Sequence, residues 1–140
     1  MGAVTFPAWE GQRYVGLAEV LVVLGAPILD LVWQVQAHDV APEPGAEELE
    51  RLQATERVHA LVLLRHAAPN TQIVDGEVTG YAHEHAVEPV ICIRAVDSTS
   101  WDVGSSREDL IRPLLRRFPE AMKIANWLDR PKDDCRPRES

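Results

Sequence analysis

The chain is poor in cysteine and lysine and has no excess of positive charge. Of its 140 residues only two are Cys and two are Lys, and its formal net charge is −8. Secreted disulfide scaffolds use more cysteines at closer spacing, so we expect reduced thiols and a cytoplasmic protein. A protein that coats DNA or RNA needs a basic face to neutralise phosphates, so the acidic balance argues against a nucleic-acid partner.

A long uninterrupted hydrophobic run is also missing. The longest apolar stretch, Val20–Val35, is broken by Gly25, Pro27, Asp30 and Gln34. A membrane-spanning helix needs about 20 mostly apolar residues, so we expect no membrane segment. The start of the chain lacks the basic region of a signal peptide, which agrees with a cytoplasmic location.

Motifs that identify a reaction are lacking as well. No Ser or Cys lies between the glycines of a nucleophile elbow, and there is no glycine-rich phosphate loop. We interpret Gly76 and Gly80 as hairpin glycines. The sequence therefore identifies no enzyme class, and we favour a non-catalytic role.

The chain contains enough amphipathic segments to form one domain. Its apolar share of 46% is normal for a folded protein. Residues 1–13 hold Gly and Pro, which predicts an irregular arm. Leu17, Val20, Leu21 and Leu24 share one helical face before Gly25, which predicts a helix over residues 16–25. Residues 29–38 then alternate apolar and polar side chains, as a strand does.

The middle of the chain predicts a second helix and a hairpin. Ala46–Ala67 is rich in good helix formers, although the apolar part, residues 57–66, is also compatible with a strand. Asp75-Gly76 tolerates the positive φ angles of a type I′ turn, so we expect a two-residue hairpin there. Pro89–Val96 is nearly continuous in apolar residues, which is typical of a buried central strand.

The C-terminal third predicts a strand followed by two helices. Asp97–Thr99 is the expected turn before a last strand, Ser100–Val103. Ser105 with Glu108, or Ser106 with Asp109, has capping-box spacing, and Pro119 is placed to start a further helix. Consecutive strands indicate an α+β fold, a mostly antiparallel sheet of about four to five strands backed by helices. We expect a single domain over residues 1–129 and a polar, mobile tail over residues 130–140.

Two clusters of polar residues are candidate sites. On a strand, His83 and His85 point to the same side, and Glu88 adds a carboxylate, so these residues are candidate ligands of a divalent metal. The alternative is a polar loop between two strands.

The second candidate is the acidic segment that begins at the end of the second predicted element. Residues 1–100 contain 14 acidic residues and 5 arginines, whereas residues 101–140 are nearly balanced. The densest acidic stretch contains no base, and its acidic residues are Asp39, Glu43, Glu47, Glu48 and Glu50. Such a segment can attract and orient a basic partner, or it can be an ordinary solvated surface.

The sequence therefore favours a small acidic protein-binding module. We expect a basic protein partner, and an immunity-type protein that neutralises a basic bacterial toxin has this size, charge and fold class. One alternative is a small metal-dependent enzyme or ligand-binding domain with its site around His83 and His85. Another is a structural subunit of a homo-oligomer. Among the four tryptophans, Trp33 and Trp101 are expected in the core, and Trp9 is either a packed cap or an interface residue.

Overall fold

A computed structural model of the chain describes residues 2–40, 57–67 and 73–124. Within these ranges it contains nine strands, three α-helices and a 3-10 helix over Ala26–Asp30. The strands are β1 (Gly2–Pro7), β2 (Trp9–Glu10), β3 (Arg13–Tyr14), β4 (Val32–Val40), β5 (Val58–His59), β6 (Ile73–Tyr81), β7 (Ile91–Val96), β8 (Ser100–Ser105) and β9 (Met122–Ile124). The helices are α1 (Leu17–Leu24), α2 (Ala60–Ala67) and α3 (Glu108–Arg117).

The described strands form one large antiparallel sheet and one small hairpin. The large sheet, called the main sheet below, has the order β5-β4-β6-β7-β8-β1-β9, and β2 pairs with β3 separately. The three helices pack on one face of the main sheet and share its core. The predicted α+β class with an antiparallel sheet backed by helices is confirmed, and the sheet is larger than the predicted four to five strands.

The core lies between the main sheet and the helices. Trp33 and Trp101 are completely buried there, as predicted. The Trp101 indole Nε1–H donates to the carbonyl oxygen of Val15 at 2.8 Å, so its one polar atom is satisfied. Phe6 of β1 stacks on Phe118, which follows α3, with ring centroids 4.2 Å apart. These aromatic contacts connect the sheet to the segments that cover it.

The N-terminal segment corrects the sequence prediction. Residues 1–13 were expected to be an irregular arm, yet β1 lies inside the main sheet between β8 and β9. Val4 and Phe6 point into the helix-covered core, and Ala3 is buried on the opposite face. Strand partners about one hundred positions away stabilise this segment, so its Gly and Pro content was a poor guide.

Residues 57–67 combine both of the alternatives that the sequence left open. Val58 and His59 pair with β4 as a two-residue edge strand, and α2 begins directly afterwards. Leu63 of this helix is completely buried against the core. The remainder of the predicted helix, residues 46–56, and the predicted tail, residues 130–140, lie outside the described residues.

The hairpin predicted at Asp75-Gly76 is wrong, because both residues lie within β6. This nine-residue strand pairs with β4 on one side and β7 on the other, and Gly76 is opposite Ala37 and Ala95. Pairing on both sides therefore overrides the local turn propensity. Gly80 is not a hairpin glycine either. An added Cβ at Gly80 would lie 2.9 Å from Ile91 Cγ2, so close packing requires glycine there.

The positive backbone angles occur instead at the turn between β7 and β8. Asp97 has φ of 50° and Ser98 has φ of 57°, and the Thr99 N–H donates to the Val96 carbonyl at 2.9 Å. The predicted turn at Asp97–Thr99 is thus confirmed. Asp and Ser carry the conformation that a type I′ turn requires of its two central residues.

Helix α3 and the segment after it differ from the prediction at both ends. Its buried residues are Leu110, Ile111 and Leu114, but the residue before its first turn is Arg107, without a side-chain cap. The Ser105 hydroxyl donates to the Val90 carbonyl at 2.6 Å and accepts the Arg107 N–H, so it anchors the strand–helix junction. The expected helix after Pro119 is absent from the described part of the chain. Strand β9 forms there and pairs with β1.

A network of four charged side chains connects the small hairpin to α1 and α3. Arg117 donates to Glu10 at 3.0 Å and to Glu19 at 2.8 Å, and Arg13 pairs with both carboxylates. The guanidinium groups of Arg117 and Arg13 lower the pKa of Glu10 from its ordinary value of 4.5 to about 2. Arg13 likewise lowers the pKa of Glu19. The network is solvent-exposed, so its contribution to stability is modest.

Candidate functional site

The face of the main sheet opposite the helices is polar. One row of side chains crosses five neighbouring strands in register and comprises Gln36, Glu77, Arg94, Asp102 and Thr5. Side chains that are directly opposite in an antiparallel sheet lie close enough to interact. We call this surface the polar face. Its charges alternate in sign across the three central strands.

Glu77 is the buried centre of the polar face. It is 5% exposed, and its Oε2 lies 3.7 Å from Arg94 Nε. The Cys92 thiol donates to the same oxygen at 3.5 Å and also contacts Thr79 Oγ1 at 3.7 Å. Cys92 is completely buried. These contacts hold a carboxylate within the floor of the sheet.

A cleft of about 360 Å³ opens on the polar face beside β4 and β6. Its floor is formed by Gln34, Gln36, Glu77 and Thr79, and its wall by Tyr81, Arg57, residues 85–87 and Pro89. An adjoining space of about 290 Å³ is lined by Gln34, Arg57, Glu84 and His85. Ligand pockets in proteins commonly have volumes of roughly 300–1,000 Å³, so the cleft is large enough for a small organic group.

Arg57 is held rigidly at the mouth of this cleft. Its Nη1 donates to the carbonyl oxygens of His83 at 3.0 Å and Glu84 at 2.9 Å. Its guanidinium carbon lies 3.4 Å from the centre of the Tyr81 ring. Two backbone acceptors and an aromatic face together fix the guanidinium plane.

The predicted metal ligands lie in the loop between β6 and β7, so the assumption that His83 and His85 share one face of a strand is wrong. The loop turns at these residues, and His83 Nδ1 accepts the His85 backbone N–H at 3.2 Å. His83, His85 and Glu88 are all exposed. No group of three metal-ligating side chains is found among the described residues. A divalent metal here stays a prediction, while His85 takes a place in the wall of the cleft.

Acidic residues collect at the other end of the main sheet. Asp75 Oδ1 accepts the backbone N–H of Asp97 at 3.1 Å. Asp39, the first residue of the predicted acidic segment, is paired with Asp75 in the backbone register. We call this region, comprising Asp39, Asp75 and Asp97, the acidic end. The other predicted partner-binding residues, Glu43, Glu47, Glu48 and Glu50, lie outside the described residues.

Trp9 lies beside the acidic end and is partly exposed. Its indole Nε1–H donates to the Ser98 carbonyl at 2.7 Å, and its ring is 5.3 Å from that of Tyr14. The side chain is 38% exposed. The structure therefore places a rigidly held tryptophan next to the turn that carries Asp97.

Sequence reasoning missed the cleft because no local pattern marks it. The residues that line the cleft are far apart in the sequence: Gln34 is in β4, Arg57 precedes β5, Thr79 is in β6 and His85 is in the loop after β6. Alternation along β4 was the one sequence signal that pointed to a polar face. Comparison of the chain with protein-family models, curated proteins and solved structures gives no match. No helix among the described residues is long and apolar enough to cross a membrane.

Proposed function

We propose that this protein is a small cytoplasmic, non-catalytic binding module that docks a basic protein at its acidic end. The supporting observation is that Asp75 accepts the backbone N–H of Asp97, that the next residue, Ser98, accepts the Trp9 indole N–H, and that Asp39 is paired with Asp75 in the backbone register. Acidic surfaces accelerate the capture of basic partners, and tryptophan is enriched among the residues that contribute most to binding.

An immunity-type inhibitor of a basic bacterial toxin is the form of this function that we favour. Such an inhibitor must bind fast and remain bound, which suits a charged rim around a partly exposed aromatic anchor. Glu43, Glu47, Glu48 and Glu50 lie outside the described residues and enter this proposal through their charge alone. Trp9 supplies apolar contact area with little conformational entropy to lose, because its indole is already hydrogen-bonded.

The experiment is affinity capture from source cells followed by binding kinetics with the captured protein. A variant that combines D97N with Glu43, Glu47, Glu48 and Glu50 changed to Gln should slow association and flatten its dependence on salt. The matched control, E108Q with E120Q, removes acidic charge from exposed positions near α3 and should bind normally. If the partner is not basic, or if the acidic-end variant associates as fast as the wild type, the proposal is wrong.

Trp9 is tested separately from the charges. Trp9→Ala should speed dissociation about tenfold or more while leaving association nearly unchanged, since buried aromatic anchors act mainly on the lifetime of a complex. An unchanged dissociation rate would place the tryptophan outside the interface.

The two alternatives from the sequence remain predictions with direct tests. Elemental analysis of freshly purified protein tests the alternative of a metal site at His83, His85 and Glu88, because a bound divalent ion would be detected in stoichiometric amount. Sedimentation measures whether the chain forms a homo-oligomer.

A further inference from the structure

The guanidinium of Arg57 is already fixed in place before any ligand arrives. Its Nη1 is taken by two carbonyl oxygens of the loop between β6 and β7, and its plane lies on Tyr81. Arginine loses much rotational freedom when it binds a ligand, and here that loss has occurred on folding. An arginine held in this way is suited to recognition.

The donors that remain form the bidentate edge of the guanidinium. Nη1 is engaged, and among the described residues no side chain or carbonyl accepts from Nε–H or Nη2. These two groups point in the same direction from the planar guanidinium, and they match the spacing of the two oxygens of a carboxylate. Arg57 lines both the cleft and its adjoining space.

The groups around Arg57 favour a singly charged oxyanion with polar atoms attached. Gln34 and His85 line the same space and can donate hydrogen bonds to it. Glu84 also lines that space, and the buried Glu77 lies in the floor of the cleft. Two carboxylates near one free guanidinium edge disfavour a doubly charged group such as phosphate.

We propose that the cleft between β4, β6 and the loop after β6 binds the carboxylate of a polar ligand, on the Nε–Nη2 edge of Arg57. Gln34 and His85 flank the carboxylate, and Gln36 and Thr79 contact the polar body of the ligand along the sheet floor. The ligand is a small carboxylic acid or the C-terminus of a peptide. The proposal does not depend on docking at the acidic end.

Titration of the full-length protein, followed by proton–nitrogen NMR, tests this assignment. The probes are N-acetylglycine, trialanine, trialanine amide and inorganic phosphate. The carboxylate probes should shift the Arg57 Nε–H and Gln34 side-chain amide signals saturably, and trialanine amide should not. Tighter binding of trialanine identifies a peptide terminus, and tighter binding of N-acetylglycine identifies a small acid.

Three variants establish the role of Arg57. R57K keeps the charge but loses the planar fork, and it should weaken carboxylate binding about tenfold or more. Q34E leaves the contacts of Arg57 with the loop and Tyr81 in place, adds a like charge to the carboxylate, and should also weaken binding. The control R116Q removes an arginine from an exposed position on α3 and should bind as the wild type does.

Three results would overturn the proposal. These are no saturable shift with either carboxylate probe at about 10 mM, binding of phosphate alone, and R57K binding as tightly as the wild type. Because Q34E leaves the arginine unchanged, a folding defect in R57K cannot be mistaken for loss of the site. Backbone spectra of each variant verify that it is folded.

Discussion

Gly80 of β6 is the residue whose substitution tests the packing beneath the cleft most directly. A Cβ at this position would lie 2.9 Å from Ile91 Cγ2, 3.0 Å from Leu31 Cδ1 and 3.1 Å from Trp33 Cη2. Ile91 and Trp33 are completely buried, so neither can move into open space. Overpacking a tight core costs about 1–3 kcal/mol, whereas replacing glycine by alanine recovers about 0.4–1 kcal/mol through the unfolded chain. We therefore expect G80A to lower the free energy of unfolding by about 1–2 kcal/mol.

The assay is urea unfolding followed by circular dichroism, with G2A as the matched control. Gly2 is also a strand glycine, but a Cβ there would meet nothing closer than Ile111 Cγ1 at 3.8 Å, an ordinary contact. G2A should therefore be neutral, or stabilising by up to about 1 kcal/mol. If G80A unfolds at the wild-type midpoint, or if G2A is destabilised as much, close packing is not the reason that glycine occupies position 80.

Three further substitutions test other parts of the fold, each by urea unfolding. Glu10→Gln should destabilise at pH 7. Because the pKa of Glu10 is lowered, its ion pair stabilises the fold above pH 4.5, and this stability is lost as the pH falls towards about 2. The difference in unfolding free energy between the variant and the wild type should therefore shrink over that range. A constant difference would contradict the ion pairing with Arg117. Trp101→Phe should cost about 1–3 kcal/mol, because it leaves the Val15 carbonyl without its buried donor; a smaller loss would mean that water replaces the indole. Ser98→Gly should stabilise by about 0.5 kcal/mol, since its φ of 57° suits glycine, and destabilisation would show that the serine side chain matters more than the backbone angle.

The elements that the sequence predicted correctly are those that can be recognised from the pattern of their own residues. The face of α1 could be recognised because Leu17, Val20, Leu21 and Leu24 follow the helical period. Strand β7 could be recognised because both faces of its first residues are buried, which leaves an apolar run. In both cases the apolar positions in the sequence are the positions that the fold buries.

The elements that were mispredicted depend on partners far away in the sequence. Strand β1 is a short segment with Gly and Pro at its ends, and its pairing with β8 joins Gly2 to Ser105. Asp75-Gly76 has strong turn propensity, but β4 and β7 occupy both edges of the strand that contains it. Strand β9 has three residues, too few for any periodicity to be visible. Local propensity is a weak guide where non-local pairing supplies the stabilisation.

The candidate sites show the same division. An acidic cluster is visible in composition, so the sequence pointed to Asp39 and the residues after it, whereas Asp75 and Asp97 come close to Asp39 only through strand pairing and the turn after β7. His83 and His85 drew attention as metal ligands on a strand. The fold instead uses the carbonyl of His83 to hold Arg57, and the side chain of His85 to line the cleft.

The two proposed sites lie at opposite ends of β6, which makes them separable. Asp75 lies near the start of this strand, and Tyr81, on whose ring the Arg57 guanidinium lies, is its last residue. Six residues of strand span about 20 Å. Exposed charges are screened within about 8–10 Å at ordinary salt, so the carboxylates at the acidic end exert little force on a ligand at Arg57. The rigid pairing of β6 on both sides also leaves no evident hinge between them. Loss of partner capture in the acidic-end variant should therefore leave carboxylate binding intact, and R57K should leave partner capture intact. Coupling between the two would require the main sheet itself to deform.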